Sequence, residues 1–298
     1  MKYPSYLKLF EEGILEERVS KAIDMLQRCN VCPHNCGVNR TEDEKGICKT
    51  GRYAIVSSYF PHLGEEFPIR GLKGSGTIFF SYCNMKCVYC QNYTISQLGE
   101  GKEVKPETLA NIMIYLQEMG CHNINLVTPS HVVPQILEAL LIAVRQGLKI
   151  PLVYNTSSYD SLETIRLLDG IVDIYLADFK YWENYLGEMY SKVKNYSDIA
   201  KEVVKEMYRQ VGDLKVDERG IAYRGLLIRH LVMPSMLDSS KEIMKFLKSI
   251  SPNMAVNVMD QYMPYYKAYK YKEISRRITP SEYYTALDYA KGLNIIDN

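Results

Sequence analysis

At 298 residues the chain is long enough for one large α/β domain with a small accessory region. Thirty-six Lys and Arg stand against 35 Asp and Glu, and this net charge of +1 excludes a global field that would draw the protein to nucleic acid or an anionic membrane. The 47% apolar content is ordinary for a globular protein, and with no run of about 18 uncharged apolar residues and no basic-then-apolar leader the expectation is a cytoplasmic chain.

Residues 14–28 place Ile14, Leu15, Val19, Ala22, Ile23 and Leu26 at helical spacing, so the chain opens with an amphipathic helix. That helix runs into Cys29, Cys32 and Cys36, followed by Cys48, a C-x2-C-x3-C-x11-C knuckle with Pro33, Gly37 and Gly46 in its loops. Four thiols can close a tetrahedral zinc site or hold a second Fe–S cluster, and filling all four positions favours zinc. His34, inside the knuckle, reads as a solvent-exposed loop histidine. After a strand at 53–60, short β-rich runs follow at 76–82, 123–128, 151–154, 172–178, 225–232 and 254–259. Helical segments separate most of them: 106–119, starting at Pro106 and stopping at Gly120; 132–146; 161–169; and 239–250, N-capped by Asp238. Asp160 and Asp169 read as helix-end residues, and Cys121 as a small buried residue. The irregular stretch 179–197, with Trp182 and several tyrosines, reads as a lid or as a surface excursion.

Strands alternating with helices imply a parallel sheet. The expected domains are an N-terminal helix and knuckle over 1–70, an alternating strand–helix domain over 71–262, which the family resemblance given below makes a partial barrel, and an extension with a helix over 263–298. In the barrel, polar residues gather after the strands: Gln91 and Asn92, then Thr128 to His131, then Asn155, then Asp178 and Lys180, then Arg229. His131 is a candidate for acid–base work. The tyrosine- and lysine-rich segment 260–272 reads as a loop over the open side of the barrel that docks a protein substrate, rather than as a single-stranded nucleic acid platform.

Between the first two barrel strands lies Cys83-Asn-Met-Lys-Cys87-Val-Tyr-Cys90. Three thiols at C-x3-C-x2-C spacing can hold three irons of a [4Fe-4S] cluster and leave the fourth open, whereas a closed structural zinc site takes four ligands. In a cytosolic chain such clustering points to metal ligation, not disulfides. The stretch, with Tyr89 at the aromatic position and the apolar run 76–82 upstream, resembles the C-x3-C-x-aromatic-C signature of the radical S-adenosylmethionine (SAM) enzymes. That resemblance implies a partial (β/α)6 barrel, with the cluster loop at the strands' C-terminal ends, where βα-barrels place their chemistry. It also implies a [4Fe-4S] cluster on Cys83, Cys87 and Cys90, and SAM held by strand-end residues from among Tyr89, Asn92, Thr128, Ser130, Asn155, Asp178, Lys180 and Arg229. Asp178-x-Lys180 and Arg229 look like positions lining the SAM site of glycyl-radical activating enzymes, with Arg229 suited to forking a carboxylate. Where most of that family has a Gly-Gly-Glu-Pro-like turn, this chain has Val127-Thr128-Pro129-Ser130, which passes the SAM amino group to Thr128 or Ser130.

The resemblance is to the pyruvate formate-lyase activating enzyme-like branch, in particular to chains with an N-terminal C-x2-C-P-x2-C knuckle. It implies reductive cleavage of SAM, hydrogen abstraction from a substrate such as a protein, and a reductant such as ferredoxin or flavodoxin. Glycyl-radical activases carry their auxiliary cysteines downstream of the SAM motif; here the extra four lie upstream. Two other classes share these residues: a radical SAM enzyme that modifies or methylates a small molecule or nucleic acid, and a non-catalytic metal-binding protein.

Overall fold

The structure, a computed structural model, describes residues 4–295. Two helices open the chain, α1 (Ser5–Glu11) and α2 (Ile14–Asp24). Tyr6, Leu15 and Ala22 are fully buried on their inner face. Ser5 Oγ donates to Asp173 Oδ1 at 2.7 Å, and Tyr6 O–H to Ile150 O at 2.7 Å, so the first helix is pinned to the loops that lead into two barrel strands.

After the knuckle come β1 (Ala54–His62), α3 (Phe67–Arg70), β2 (Ser75–Phe80), α4 (Tyr93–Ser96) and β3 (Lys102–Val104). The alternating part follows as α5 (Pro106–Glu118), β4 (Ile124–Val127), α6 (Val133–Arg145), β5 (Leu152–Thr156), α7 (Leu162–Leu167) and β6 (Ile174–Asp178). It continues with α8 (Asn184–Leu186), a π-helical turn (Gly187–Ser191), α9 (Tyr196–Val211), β7 (Lys215–Val216), β8 (Ala222–Leu231), α10 (Leu237–Ile250), β9 (Ala255–Met259) and α11 (Pro280–Gly292).

Six strands, β2, β4, β5, β6, β8 and β9, pair in parallel in that order. They are the six read from the sequence. β1 continues the sheet antiparallel to β2, β3 pairs antiparallel with β1, and β7 with β8. No pairing joins β9 to the β2 side among the described residues, so the sheet stays open. The central strands are apolar on both faces, as in Leu152-Val-Tyr-Asn-Thr156, all five buried, because helices cover one face and the barrel interior the other. α11 begins with a capping box, in which Thr279 Oγ1 accepts from Glu282 N–H while Glu282 accepts from Thr279 N–H. No helix among the described residues is long and apolar enough to cross a membrane.

Two sequence expectations change, and one helix was not anticipated. The stretch after 179 is neither lid nor excursion. Backbone bonds from Lys86 N–H to Ser191 O and from Val88 N–H to Tyr190 O, both 2.8 Å, dock the π-helical turn under the cysteine loop. α9, which the sequence reading did not mark, buries Tyr196, Ala200, Val203, Val204, Met207 and Val211 at helical spacing. Asp238 lies in the first turn of α10 rather than at its cap, which is Met236.

Candidate functional site

A cavity of about 270 Å³ opens at the C-terminal ends of the parallel strands. Cys83, Cys87 and Cys90, from the loop after β2, line it together with Thr128, Asn155, Thr156, Asp178, Lys180 and Arg229, from the ends of β4, β5, β6 and β8. Burial, then the neighbouring Cys87 and Cys90 thiolates, push the Cys83 thiol up to about 12. Each sulfur already has one hydrogen-bonding neighbour: Met85 N–H at 3.3 Å from Cys83, Ser191 Oγ at 3.0 Å from Cys87 and Ser96 Oγ at 3.1 Å from Cys90. Among the described residues no three His, Cys, Asp or Glu side chains converge on a single-ion position; the three thiols line a wall.

The charged part of the lining is an ionic network. Asp178 receives Arg229 Nε on Oδ1 at 2.8 Å and Lys180 Nζ on Oδ2 at 2.7 Å. Burial pushes its carboxyl up, but Arg229 and Lys180 together outweigh burial and hold it below the usual carboxylate range. Arg229 also donates to Asn155 Oδ1 at 2.5 Å and to Glu65 Oε2 at 3.4 Å. Each guanidinium nitrogen therefore serves one protein acceptor, so Arg229 orients Asp178 and Asn155 while lining the cavity with two N–H groups left over. Glu65, from the segment before α3, was missed because nothing local in Gly64-Glu-Glu-Phe67 marks it as a barrel residue. Tyr196 O–H, at the start of α9, ties the third and fourth barrel strands together, contacting Ser157 O at 2.9 Å and Asp178 O at 3.2 Å.

Four other expectations are corrected. Ser130 does not line the cavity: it is 3% exposed and sits 3.2 Å from Thr156 Oγ1, whereas Thr128 reaches the wall with a left-handed φ of +61°. His131 faces the core and not the cleft; its Nε2–H donates to Ser81 O at 3.0 Å, and burial, then the Arg40 charge, lower its pKa to about 3. Asp160 does lie at a helix end, just before the α7 N-cap Ser161, but its carboxylate is a buried acceptor of Tyr154 O–H at 2.8 Å and Thr156 O–H at 2.6 Å rather than a cap. His34 is half-buried, donating through Nε2–H to Asn84 O at 2.6 Å and meeting Tyr159 edge-on. Tyr89 and Asn92 do line the cavity, and Cys121 is buried as expected.

No local signal marks Ser96, Ser191, Met259 or Tyr181. Ser96 and Met259 line the cavity, while Ser191 and Tyr181 sit behind Cys87. The segment after β9 covers the open side: Tyr262 packs 5.6 Å from Tyr89 between ring centroids, Tyr266 stacks on Tyr93 at 4.9 Å, and Lys267 N–H donates to Val88 O at 2.8 Å.

The knuckle packs against the same loop. Arg40, fully buried, donates to Gly51 O at 3.1 Å and His131 O at 2.8 Å, with Nη1 3.7 Å from Cys29 Sγ. Burial, then the charges of Cys48, Cys29 and Cys36, push Cys32 up to about 12, so the four thiols sense one another. The closed tetrahedral zinc geometry expected of Cys29, Cys32, Cys36 and Cys48 is not formed among the described residues.

A family model described as the radical SAM superfamily matches residues 77–247. The uncharacterized protein MJ0674 of Methanocaldococcus jannaschii is 38% identical over 297 residues, which cover 97% of this chain and 82% of that protein. Among solved structures, Streptococcus suis SuiB aligns over 71% of this chain and 44% of its own, at 14% identity and a TM-score of 0.48. Methylornithine synthase (PylB) aligns over 74% of this chain and 63% of its own, at 13% identity and 0.47. Coproporphyrinogen III oxidase (HemN) from Escherichia coli aligns over 71% and 50%, at 10% identity and 0.47. The chain thus spans between 44% and 63% of those solved proteins, and the likeness is one of broad outline. Because the matched family model covers more than half of its residues, the chain belongs to the radical SAM superfamily.

Proposed function

We propose that this chain cleaves SAM at a cluster held by Cys83, Cys87 and Cys90 and directs the resulting hydrogen abstraction at a protein, as glycyl-radical activating enzymes do. Membership of the superfamily implies the [4Fe-4S] cluster and SAM, and the donor set fits them. The thiols of Cys83 and Cys87, whose ionisation is opposed by burial and by neighbouring thiols, are groups that a metal deprotonates on binding. When bound, the cluster supplies the electron that breaks the sulfonium C–S bond of SAM, giving methionine and a 5′-deoxyadenosyl radical.

One observation carries the reading: the three thiols and the Asp178–Lys180–Arg229–Asn155 network line one cavity. Asp178 accepts hydroxyl or ammonium protons there, and Arg229 fixes its orientation. With its Oδ1 held by Arg229, Asn155 keeps its Nδ2 as a donor on the wall. Thr128, on the cavity wall, is the residue proposed to receive the SAM amino group. Met259, Tyr262 and Tyr89 supply apolar surface that keeps water from the radical. The exposed Tyr265 and Tyr269 of the covering segment suit docking of a protein chain, and a ferredoxin or flavodoxin supplies the electron.

The knuckle is proposed to hold zinc or a second Fe–S cluster, supported by the mutual influence of its four thiols and by the buried Arg40 cation beside Cys29. To test the activase reading, the reduced protein and SAM are mixed with each glycyl-radical enzyme of the source cell in turn. A glycyl-radical doublet in the electron paramagnetic resonance spectrum, matched by 5′-deoxyadenosine, is expected; S-adenosylhomocysteine with a methylated product would instead establish the methylase class.

A further inference from the structure

Behind the cysteine wall runs a chain of buried hydroxyls that SAM binding does not require. Tyr89 O–H meets Tyr181 O–H at 2.5 Å, Tyr181 O–H meets Ser191 Oγ at 2.8 Å, and Ser191 Oγ meets Cys87 Sγ at 3.0 Å. All three hydroxyl residues are buried, with Tyr181 and Ser191 at 0% exposure. Tyr89 comes from the cysteine loop, Tyr181 from the segment after β6, and Ser191 from the π-helical turn. That turn is clamped to the loop by the backbone bonds at Lys86 and Val88, so the alignment is built into the backbone.

Proton counting gives the chain a direction. A ligating thiolate has no proton and can only accept. Ser191 must then donate its single proton to Cys87, so its oxygen accepts from Tyr181, whose oxygen in turn accepts from Tyr89. Hydrogen bonds aligned in this way polarise one another at low local dielectric, and those to cluster sulfurs are among the factors that set an Fe–S reduction potential.

We infer that Tyr89, Tyr181 and Ser191 form a directional hydroxyl relay onto Cys87 that raises the reduction potential of the cluster, with the motif tyrosine acting from its far end. The relay stabilises the reduced, more electron-rich cluster, because a donated hydrogen bond is worth more to a more negative sulfur. Ser191 donates directly; Tyr181 and Tyr89 are positioning residues that act through it. Cys90 has a separate hydroxyl, Ser96, backed by no second hydroxyl but only by a long contact from Gln97 Nε2 at 3.4 Å. The inference rests on Cys87 being a cluster ligand.

The test is an anaerobic redox titration of the reconstituted protein without SAM, following the spin signal of the reduced cluster. Wild type is compared with Ser191→Ala, Tyr181→Phe, Tyr89→Phe and Ser191→Thr, each at matched iron content. The expected order of displacement to lower potential is Ser191→Ala largest, Tyr181→Phe next and Tyr89→Phe least, with Ser191→Thr at the wild-type value. A tenfold fall in the ratio of reduced to oxidised cluster at fixed poise corresponds to about 59 mV for one electron. Equal potentials in all loaded variants, or displacement by Ser191→Thr as large as by Ser191→Ala, would overturn the relay. If Ser191→Ala does not load iron, the two phenylalanine variants are compared with wild type, and their equality with it overturns the relay by itself. A wild type that loads no cluster would instead remove the proposed function itself.

Discussion

Replacing Asp178 with Asn takes one negative charge from between two buried cations. Asp178 Oδ1 lies 2.8 Å from Arg229 Nε and Oδ2 lies 2.7 Å from Lys180 Nζ. At an effective dielectric of about 20, each contact is a gross attraction of about 6 kcal/mol. Desolvation of three charged groups offsets most of that, so the net worth of the intact network is small. Removing one partner differs, because it leaves Arg229 and Lys180 facing each other with Glu66 and with Glu65, 3.4 Å from Arg229, as the remaining counter-charges. Unpaired buried charge costs about 3–5 kcal/mol, and the partial cover from Glu65 and Glu66 places Asp178→Asn at about 3 kcal/mol. At about 2–3 °C per kcal/mol for a chain of this size, the melting temperature of the reduced, metal-free protein should fall by about 6–9 °C. Adding Lys180→Met removes one stranded cation and should restore about 1 kcal/mol or more. The assay is calorimetry of wild type, the single variant and the double variant. A single-variant loss below about 1 kcal/mol, or a double variant less stable than the single, would refute the reasoning.

Gly225, within β8, has φ +125°, and a Cβ there would stand 2.4 Å from Asp213 O and 2.5 Å from Leu214 Cα. Gly225→Ala should cost about 3 kcal/mol or more, read as soluble yield and melting temperature, and a near-neutral result would mean that the 213–214 crossing is not fixed. His230 is buried with Nδ1–H donating to Phe179 O at 2.8 Å, and burial, then the Lys180 charge, hold its pKa down at about 4. Its neutral form stabilises the fold above pH 6.5, the unfolded value, and that contribution is lost as pH falls from 6.5 towards 4, amounting to about 2 kcal/mol between pH 7 and pH 5. His230→Gln should therefore flatten the acid limb in urea titrations at those two pH values, and an unchanged slope would contradict the assignment. Metal analysis of protein bearing Cys83→Ala, Cys87→Ala and Cys90→Ala together should retain knuckle-bound zinc or iron that Cys32→Ala then removes; no retained metal would refute the proposed second site.

Much of the barrel was legible because its signals are local. Alternation of short apolar runs with amphipathic segments gives six parallel strands in sequence order, and three cysteines at fixed spacing mark the loop at their ends. What escaped depends on distance in sequence. The charge of Asp178 is balanced by Lys180 two residues away, which the sequence shows, but also by Arg229, whose remaining nitrogens are taken by Asn155 and by Glu65, 164 residues upstream. An arginine that looks free in the sequence is therefore mostly committed in the fold. Ser130 and His131 lie beside Thr128, yet the turn sends Thr128 to the cavity and buries its neighbours. The 187–191 turn has no regular period, so neither its docking under the cysteine loop nor the contact of Ser191 with Cys87 can be read from spacing.

The most direct measurement of the central claim is anaerobic. Wild type and Cys87→Ala are reconstituted with iron and sulfide, reduced with dithionite, given SAM, and assayed for 5′-deoxyadenosine. The account predicts product from the wild type and none from the variant. A wild-type protein that carries its cluster and binds SAM, yet forms no 5′-deoxyadenosine with or without a candidate protein substrate, would contradict it.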